Sequence, residues 1–287
     1  VPSQRVLVNR PADLRIALTD QEGVHTAPVG GLTATCTRLD DTTVALGTAS
    51  VDDFGVVTYP VAASELTAPD VLSLEVTDGG DGSKYTTQIH VAGAHYFTVT
   101  EVRDVEKALA ANTTKYSGAE IVRARIETED ECERICRQAF VPRARKVVLS
   151  GDGTDVLLLD QQTPTKIRSL SIDGVALTTG ELADVLVEDA GIVRRVHADW
   201  PQGAGNIVLI YEHGWPAPPS DLKRAALQRL RERLNMTMSG IPDRALSLTT
   251  DGGTFSIATA GRSGFETGSP DIDAVYARYR NMPLVIA

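Results

Sequence analysis

The chain has 287 residues, 42% hydrophobic and 23% charged, with a formal net charge of −10 at pH 7. That length can bury a sizeable core and predicts two domains, and the composition is ordinary for a soluble globular protein. The negative balance argues against a protein whose main task is gripping nucleic acid from outside; three cysteines cannot build a disulfide framework, and no apolar run approaches membrane-spanning length.

The acidity is unevenly spread. Residues 1–95 hold 5 Lys and Arg against 12 Asp and Glu, whereas the rest hold 23 against 26. Residues 1–10 carry charge and lack a continuous apolar segment, so no signal peptide is expected and synthesis in a cytoplasm is. Residues 1–95 read as short strands at 6–8, 14–18, 32–37, 44–48, 56–59, 71–77 and 85–91. Alternation is clearest late, with Leu72, Leu74 and Val76 on one face and Tyr85, Thr87, Ile89 and Val91 on one face of the next strand. Asp78, Gly79, Gly80, Asp81 and Gly82 lie between them and tolerate positive φ, which predicts a hairpin. About seven strands in so short a segment predict an immunoglobulin-like β-sandwich, here without an inter-sheet disulfide because Cys36 has no partner.

Ala92-Gly93-Ala94 reads as a linker, and helical spacing follows it. Thr98 or Thr100 can cap a short helix over 101–111, with Val102, Val105 and Leu109 on one side. Ser117 and Glu120 stand at capping-box spacing and open a helix to about Phe140, with a seam of Ile121, Ala124, Thr128, Cys132, Ile135 and Ala139. Pro142 is placed to stop it. Further strands are expected at 147–149, 156–159, 167–172, 185–187, 192–196 and 206–211, with Asp173-Gly174 as a turn. Gly214 and Pro216 end the last strand. Ser220 is a natural N-cap and Asp221 puts a carboxylate in the first turn of a helix over 221–234. Leu222, Ala225, Ala226, Leu230 and Leu234 share one face of it. Strands at 246–250 and 255–260 flank Asp251-Gly252-Gly253 as a protruding hairpin. Residues 262–270 are Gly- and Ser-rich and should be mobile. A terminal helix over 271–280 carries Ile272, Val275, Tyr276 and Tyr279 along one side.

No catalytic constellation emerges. His25, His90, His95, His197 and His213 have no metal or nucleophile signature around them, and His213 reads as a turn histidine satisfied by backbone. Cys132 and Cys136 share a helix face and could form half a metal site, but two small core hydrophobes is the better reading. Asp40-Asp41 and Asp52-Asp53, with Asp78 and Asp81, could bind calcium; Asp at β-turns explains them more simply. Arg143, Arg145 and Lys146, and separately Arg194 and Arg195, are basic clusters that could touch phosphates or acidic neighbours, although a solvated surface is the usual meaning. No cofactor and no metal is expected, and no enzyme activity.

The run from Trp200 to Leu227 is a whole junction, strand to turn to capped helix: Trp200-Pro201-Gln202-Gly203, Tyr211-Glu212-His213-Gly214, then Pro218-Pro219-Ser220-Asp221. With Glu101-Val102-Arg103, with Glu131, Cys132, Glu133, Arg134, Ile135 and Cys136 continuing to Pro142 and Arg143, with Ile241-Pro242-Asp243-Arg244-Ala245 and with Asp271-Ile272-Asp273-Ala274-Val275, it resembles the head-to-tail adaptor (connector) proteins of long-tailed bacteriophages, particularly those of actinobacteria. The resemblance covers residues 97–287, about two thirds of the chain.

The resemblance implies a structural virion protein of the phage neck. Such adaptors form a homo-oligomeric ring, commonly a dodecamer, between the portal protein and the head-closure (stopper) or tail-terminator protein. Double-stranded DNA passes through the channel without sequence-specific binding, and no membrane is involved. The expected fold is α+β: the immunoglobulin-like β-sandwich read from the strand pattern at 1–95, which lies outside the core shared with the adaptors, then a helical adaptor core with a small inserted β region at 96–240, and a hairpin, flexible arm and terminal helix at 241–287. The expected partner-binding anchors are Ile272, Val275, Tyr276 and Tyr279, at the end of an arm that orders against a neighbouring subunit or the portal. A rival reading is a virion-surface or secreted binding module that uses the sandwich. Another, within the neck, is a head-closure or tail-terminator protein.

Overall fold

A computed structural model of the chain describes residues 4–20, 22–105, 112–114, 116–236, 247–250, 253–256 and 266–281. The protein is mixed α and β, with strands predominating. Alternating apolar residues build the first seven strands: β1 (Gln4–Leu7), β2 (Ala12–Ala17), β3 (Leu32–Thr37), β4 (Ser50–Val51), β5 (Val56–Val61), β6 (Asp70–Asp78) and β7 (Lys84–Ala92). They form two sheets, ordered β1-β7-β6-β3 and β2-β5-β4. All pairings are antiparallel except that of β1 with β7, which is parallel. Leu72, Leu74, Val76, Ile89 and Val91 from one sheet meet Leu14, Ile16, Val57 and Tyr59 from the other in a single core. This is an immunoglobulin-like order in which the first strand has moved beside the last. Cys36 is a free thiol in that core, and burial raises its pKa to about 11.

The strand expected at 44–48 does not form. Extending the β4–β5 ladder would set residue 48 opposite Pro60, which has no N–H to give. The backbone instead crosses irregularly between sheets, with Val44 N–H bonded to the Cys36 carbonyl and Gly47 N–H to the Pro60 carbonyl.

A second β region follows: β8 (Arg143–Gly151), β9 (Val156–Leu158), β10 (Pro164–Ile172), β11 (Val175–Ala176), the short helix α3 (Thr179–Leu182), β12 (Val185–Val187), β13 (Ile192–Arg195) and β14 (Gly203–His213). Its sheets are ordered β11-β10-β14-β8 and β12-β13-β9. Asp173 and Gly174, at φ 49° and 79°, make the two-residue turn between β10 and β11. Trp200, Val193, Leu170, Ile207, Leu209 and Tyr211 fill a separate core. Trp200 is fully buried and its indole N–H donates to the Asp155 carbonyl at 2.9 Å.

By packing, the chain divides into two units, Ser3–His95 with Val141–Pro216 and Tyr96–Phe140 with Ala217–Ala287. This grouping by packing differs from the expected division, in which 96–240 is one helical core holding inserted strands. The second β region groups with the sandwich, tied to it by Gly93 N–H to the Pro142 carbonyl (2.9 Å) and by the Lys146–Asp41 ion pair (3.0 Å).

The other unit holds α1 (Val99–Val105), α2 (Gly118–Cys136), α4 (Ser220–Met236), the hairpin β15 (Ser247–Thr250) and β16 (Gly253–Ser256), and α5 (Pro270–Arg278). Thr98 and Glu101 cap α1 reciprocally, and Ser117 and Glu120 form the capping box of α2. Arg137 takes the left-handed conformation (φ 56°) and ends α2 at Cys136, short of the expected Phe140. The first helical bond of α4 runs from Lys223 N–H to the Pro219 carbonyl, so Pro219 holds the cap position expected of Ser220. The expected seams are buried: Ile121, Ala124, Thr128, Cys132, Ile135 and Ala139, and Leu222, Ala225, Ala226, Leu230 and Leu234. Residues 106–111 of the first expected helix, and 262–265 of the segment expected to be mobile, lie outside the described residues.

Candidate functional site

A group of titratable side chains lies at the C-terminal end of β14. His213 pairs with Arg143 of β8 and Pro164 of β10. Its imidazole is buried, tilted against the Tyr211 ring at 5.6 Å, and its Nδ1 bonds to no protein atom. Tyr211 O–H donates to Asp160 at 3.1 Å, and Arg145 holds the other Asp160 oxygen at 2.5 Å. Burial, then the charges of Arg145 and Arg143, lowers the His213 pKa to about 4, so the ring is neutral at pH 7. Burial and the Asp160 charge push Tyr211 upward, the opposite of an activated phenol. The group therefore has a neutral ring and an inert hydroxyl, and no nucleophile within it is activated. The expectation of a turn histidine satisfied by backbone is corrected: His213 closes a strand, and one ring nitrogen is buried without a protein partner.

Between the sandwich and the sheet of β10 and β14 lies a cleft of about 470 Å³, lined by Arg38, Glu65, Asp70, Lys166, Arg168 and Glu212 among others. Its charges are largely spent on one another. Arg168 bonds Glu212 (2.8 Å), Asp70 (3.5 Å) and the Pro69 carbonyl, and Arg38 bonds Glu65 (2.8 Å) and the Thr43 carbonyl (2.7 Å). Burial raises the Asp70 pKa against the pull of the Leu39 and Val71 N–H groups and of Arg168. The arrangement latches the second β region to the sandwich.

The two basic clusters singled out in the sequence are neutralised locally. Arg143 is buried, Arg145 pairs with Asp160 and Lys146 with Asp41. Arg194 pairs with Asp155 and Glu188, and Arg195 lies over the Trp200 ring at 5.4 Å while donating to the Asp199 carbonyl. The acidic pairs mostly serve turns: Asp40 accepts from Thr42, Asp52 from Phe54 and Val56 N–H, and Asp81 from Ser83 N–H. Among the described residues no group of three or more His, Cys, Asp and Glu is arranged to hold a metal ion. Cys132 and Cys136 are fully buried, and burial raises the Cys132 thiol pKa.

The four expected anchors lie on α5 or just after it, and they hold that helix to its own unit. Ile272 and Tyr276 are buried, and the Tyr276 carbonyl accepts from the Cys136 thiol at 3.5 Å. Tyr279 packs edge-on against Phe140 (5.8 Å) and donates its hydroxyl to Asp221 at 2.7 Å; Val275 is half-buried. The Asn281 N–H donates to the Cys136 carbonyl at 2.7 Å. The expectation places these four residues against a neighbour; in the single chain they pack within their own unit. The apolar stripe of α5 matches a groove offered by α2 and α4 of the same chain, and a tethered segment meets it at high effective concentration.

Sequence reading missed the charged seam joining α2 to α4. Arg229 grips Glu131 in a two-pronged pair (2.8 and 3.0 Å), Arg233 bonds Glu131 (3.0 Å) and Glu127 (3.3 Å), and Ser269 donates to Glu232 at 2.9 Å. Burial alone would raise the Glu131 pKa, but Arg229 and Arg233 together hold it below the usual carboxylate range. The signal was present: acidic residues four apart on one helix and arginines four apart on the other.

No family model and no curated protein sequence matches the chain. Among solved structures, the filamin domain of Lin-41 is similar at 17% identity over 32% of this chain and 85% of that one, with a TM-score of 0.24, too low to bear on fold or function.

Proposed function

We propose that this chain is a structural protein of the bacteriophage neck, a head-to-tail adaptor whose copies form a ring between the portal protein and the head-closure or tail-terminator protein. The observation that carries the reading is the junction between β14 and α4. The residues on which the adaptor resemblance rests there each have an architectural task. Trp200 lies in the core of the second β region, Gly214 turns the chain at φ 103°, Asp221 receives the Tyr279 hydroxyl, and Leu222, Ala225 and Ala226 open the buried helix seam. Glu131, from the second stretch of the resemblance, is the acceptor that joins α2 to α4.

On this reading no bond is made or broken. Assembly consists of burying complementary surface around a closed ring. The acidic balance of the chain suits a DNA conduit, because like charge keeps the duplex from adhering as it passes. The adaptor part comprises the helical unit with the junction, and the sandwich is an addition to it. Electron cryomicroscopy of particles carrying the chain tests the proposal. A ring of copies between portal and tail is expected, and density on the capsid surface or tail tip with none at the neck overturns it.

A further inference from the structure

One end of the sandwich is built from three loops that lock onto one another, and it goes beyond anything the adaptor reading requires. The loops join β2 to β3, β4 to β5 and β6 to β7. Asp78 is 2% exposed, and its carboxylate accepts from Val29 N–H (2.7 Å), Gly30 N–H (2.8 Å) and Gly80 N–H (2.8 Å), clamping the first loop to the third. Those three N–H groups, Gly80 first, hold its pKa low, so the clamp stays ionised. Gly55, at φ +72°, lets the second loop abut the first, since a Cβ there would lie 2.2 Å from the Thr26 carbonyl oxygen. Asp20 accepts from Glu22 and Val24 N–H, and Asp52 from Phe54 and Val56 N–H, so each loop is also braced internally.

This bracing presents large apolar side chains to solvent. Phe54 is 75% exposed, Val29 72% and Val24 58%; Val24 and Val29 stand on the first of the three mutually packed loops and Phe54 on the second. A lone exposed valine needs no explanation; three apolar tips on loops fixed by buried hydrogen bonds are a preorganised patch. The charge around them has one sign. Residues 19–31, 51–55 and 78–83 contain no Lys or Arg, and besides the buried Asp78 they carry the exposed Asp20, Glu22, Asp52, Asp53 and Asp81. Nucleic acid and acidic surfaces are repelled by such a rim, and no Trp or Tyr is present to stack on a sugar. Asp20, Asp52, Asp78 and Asp81 are engaged with backbone N–H groups, so they are not a free cage for a cation.

We infer that these loops form a docking surface for another protein, one whose contact face is apolar at its centre, to take Phe54, Val29 and Val24, and lysine- or arginine-rich at its rim. The apolar tips supply the buried contact, and the carboxylates speed encounter and exclude partners of like charge. The inference stands whether or not the chain sits in a phage neck.

The test places the photoreactive residue p-benzoylphenylalanine at position 54 of the full chain, with a second version at Val148 as an exposed control on another strand. Both are irradiated in the cells or particles that make the chain, and the cross-linked peptides are mapped by mass spectrometry. Position 54 is expected to cross-link a single other protein, at a segment of apolar residues flanked by Lys or Arg. Val29→Asp should reduce the yield at least tenfold without moving the thermal unfolding midpoint. A yield at position 54 no higher than at Val148, cross-links confined to a second copy of this chain, or a captured segment that is acidic would each overturn the inference.

Discussion

Replacing His213 with Gln removes the imidazole while keeping a neutral polar side chain, and its effect is read in the pH dependence of stability. In the folded chain the imidazole pKa is about 4, against 6.5 for a free histidine. The folded value is the lower one, so the unfolded chain binds more protons between the two. The contribution is fully present above about pH 6.5 and is lost as pH falls towards 4. Linkage over that interval gives a loss of about 2 kcal/mol between pH 7 and pH 5, with a ceiling of about 3 kcal/mol below pH 4. Carboxylates titrate mainly below this window and are shared by both proteins, so they drop out of the difference. Urea unfolding followed by tryptophan fluorescence suits the measurement, because Trp200 and Trp215 both lie in the unit that contains His213. The original chain should lose about 2 kcal/mol more than His213→Gln between pH 7 and pH 5. Parallel curves for the two proteins would refute the account of a buried neutral imidazole beside Arg145 and Arg143.

Arg229→Ala removes the two-pronged partner of Glu131, whose side chain is only 10% exposed and which keeps Arg233, and should cost about 1.5–3 kcal/mol of helical-unit stability by circular dichroism in urea. The double replacement Arg229→Met with Glu131→Leu should cost less, since no buried carboxylate is then left short of a hydrogen-bond donor and Arg233 keeps Glu127. Ser117→Ala removes the hydroxyl that caps α2 and should cost about 1 kcal/mol in the same assay. Gly55→Ala meets both positive φ and the Thr26 carbonyl, so the sandwich should lose about 1–3 kcal/mol; an unchanged midpoint in calorimetry would show that the loop can shift.

Much of the architecture was legible from spacing alone. The apolar positions of α2 and α4 recur at three and four, and every one of the named seam residues is buried. The alternation of Leu72, Leu74 and Val76 likewise located the sandwich core. What escaped was set by partners distant in sequence. Pro60 ended a ladder that local β propensity at 44–48 favoured, and Arg137 adopted a left-handed conformation that helical periodicity gives no hint of. The short helix α3 was overlooked although Thr178 and Glu181 form a capping box. Amphipathic spacing on α5 showed that Ile272 and Tyr276 would be buried, but spacing carries no information on whether the covering surface belongs to the same chain. The loop patch around Phe54 was invisible for a related reason. Asp and Gly in turns look alike whether or not they brace an exposed side chain, and only the hydrogen bonds of Asp78 and Asp52 distinguish the two.

The interruption of the helical unit by residues 141–216 has a consequence for biosynthesis. Tyr96–Phe140 leaves the ribosome well before Ala217–Ala287, the other half of the same unit. At roughly 5–20 residues per second, several seconds or more separate emergence of α2 from that of the α4 surface that covers it. During that interval Ile121, Cys132 and Ile135 have no mate, while the sandwich, complete by residue 95, can already be folded. Translation arrested between residues 141 and 219 should thus yield a nascent chain with a protease-resistant N-terminal domain and a chaperone-binding helix. Release of the remaining residues should convert it, late and in one step, to the finished helical unit.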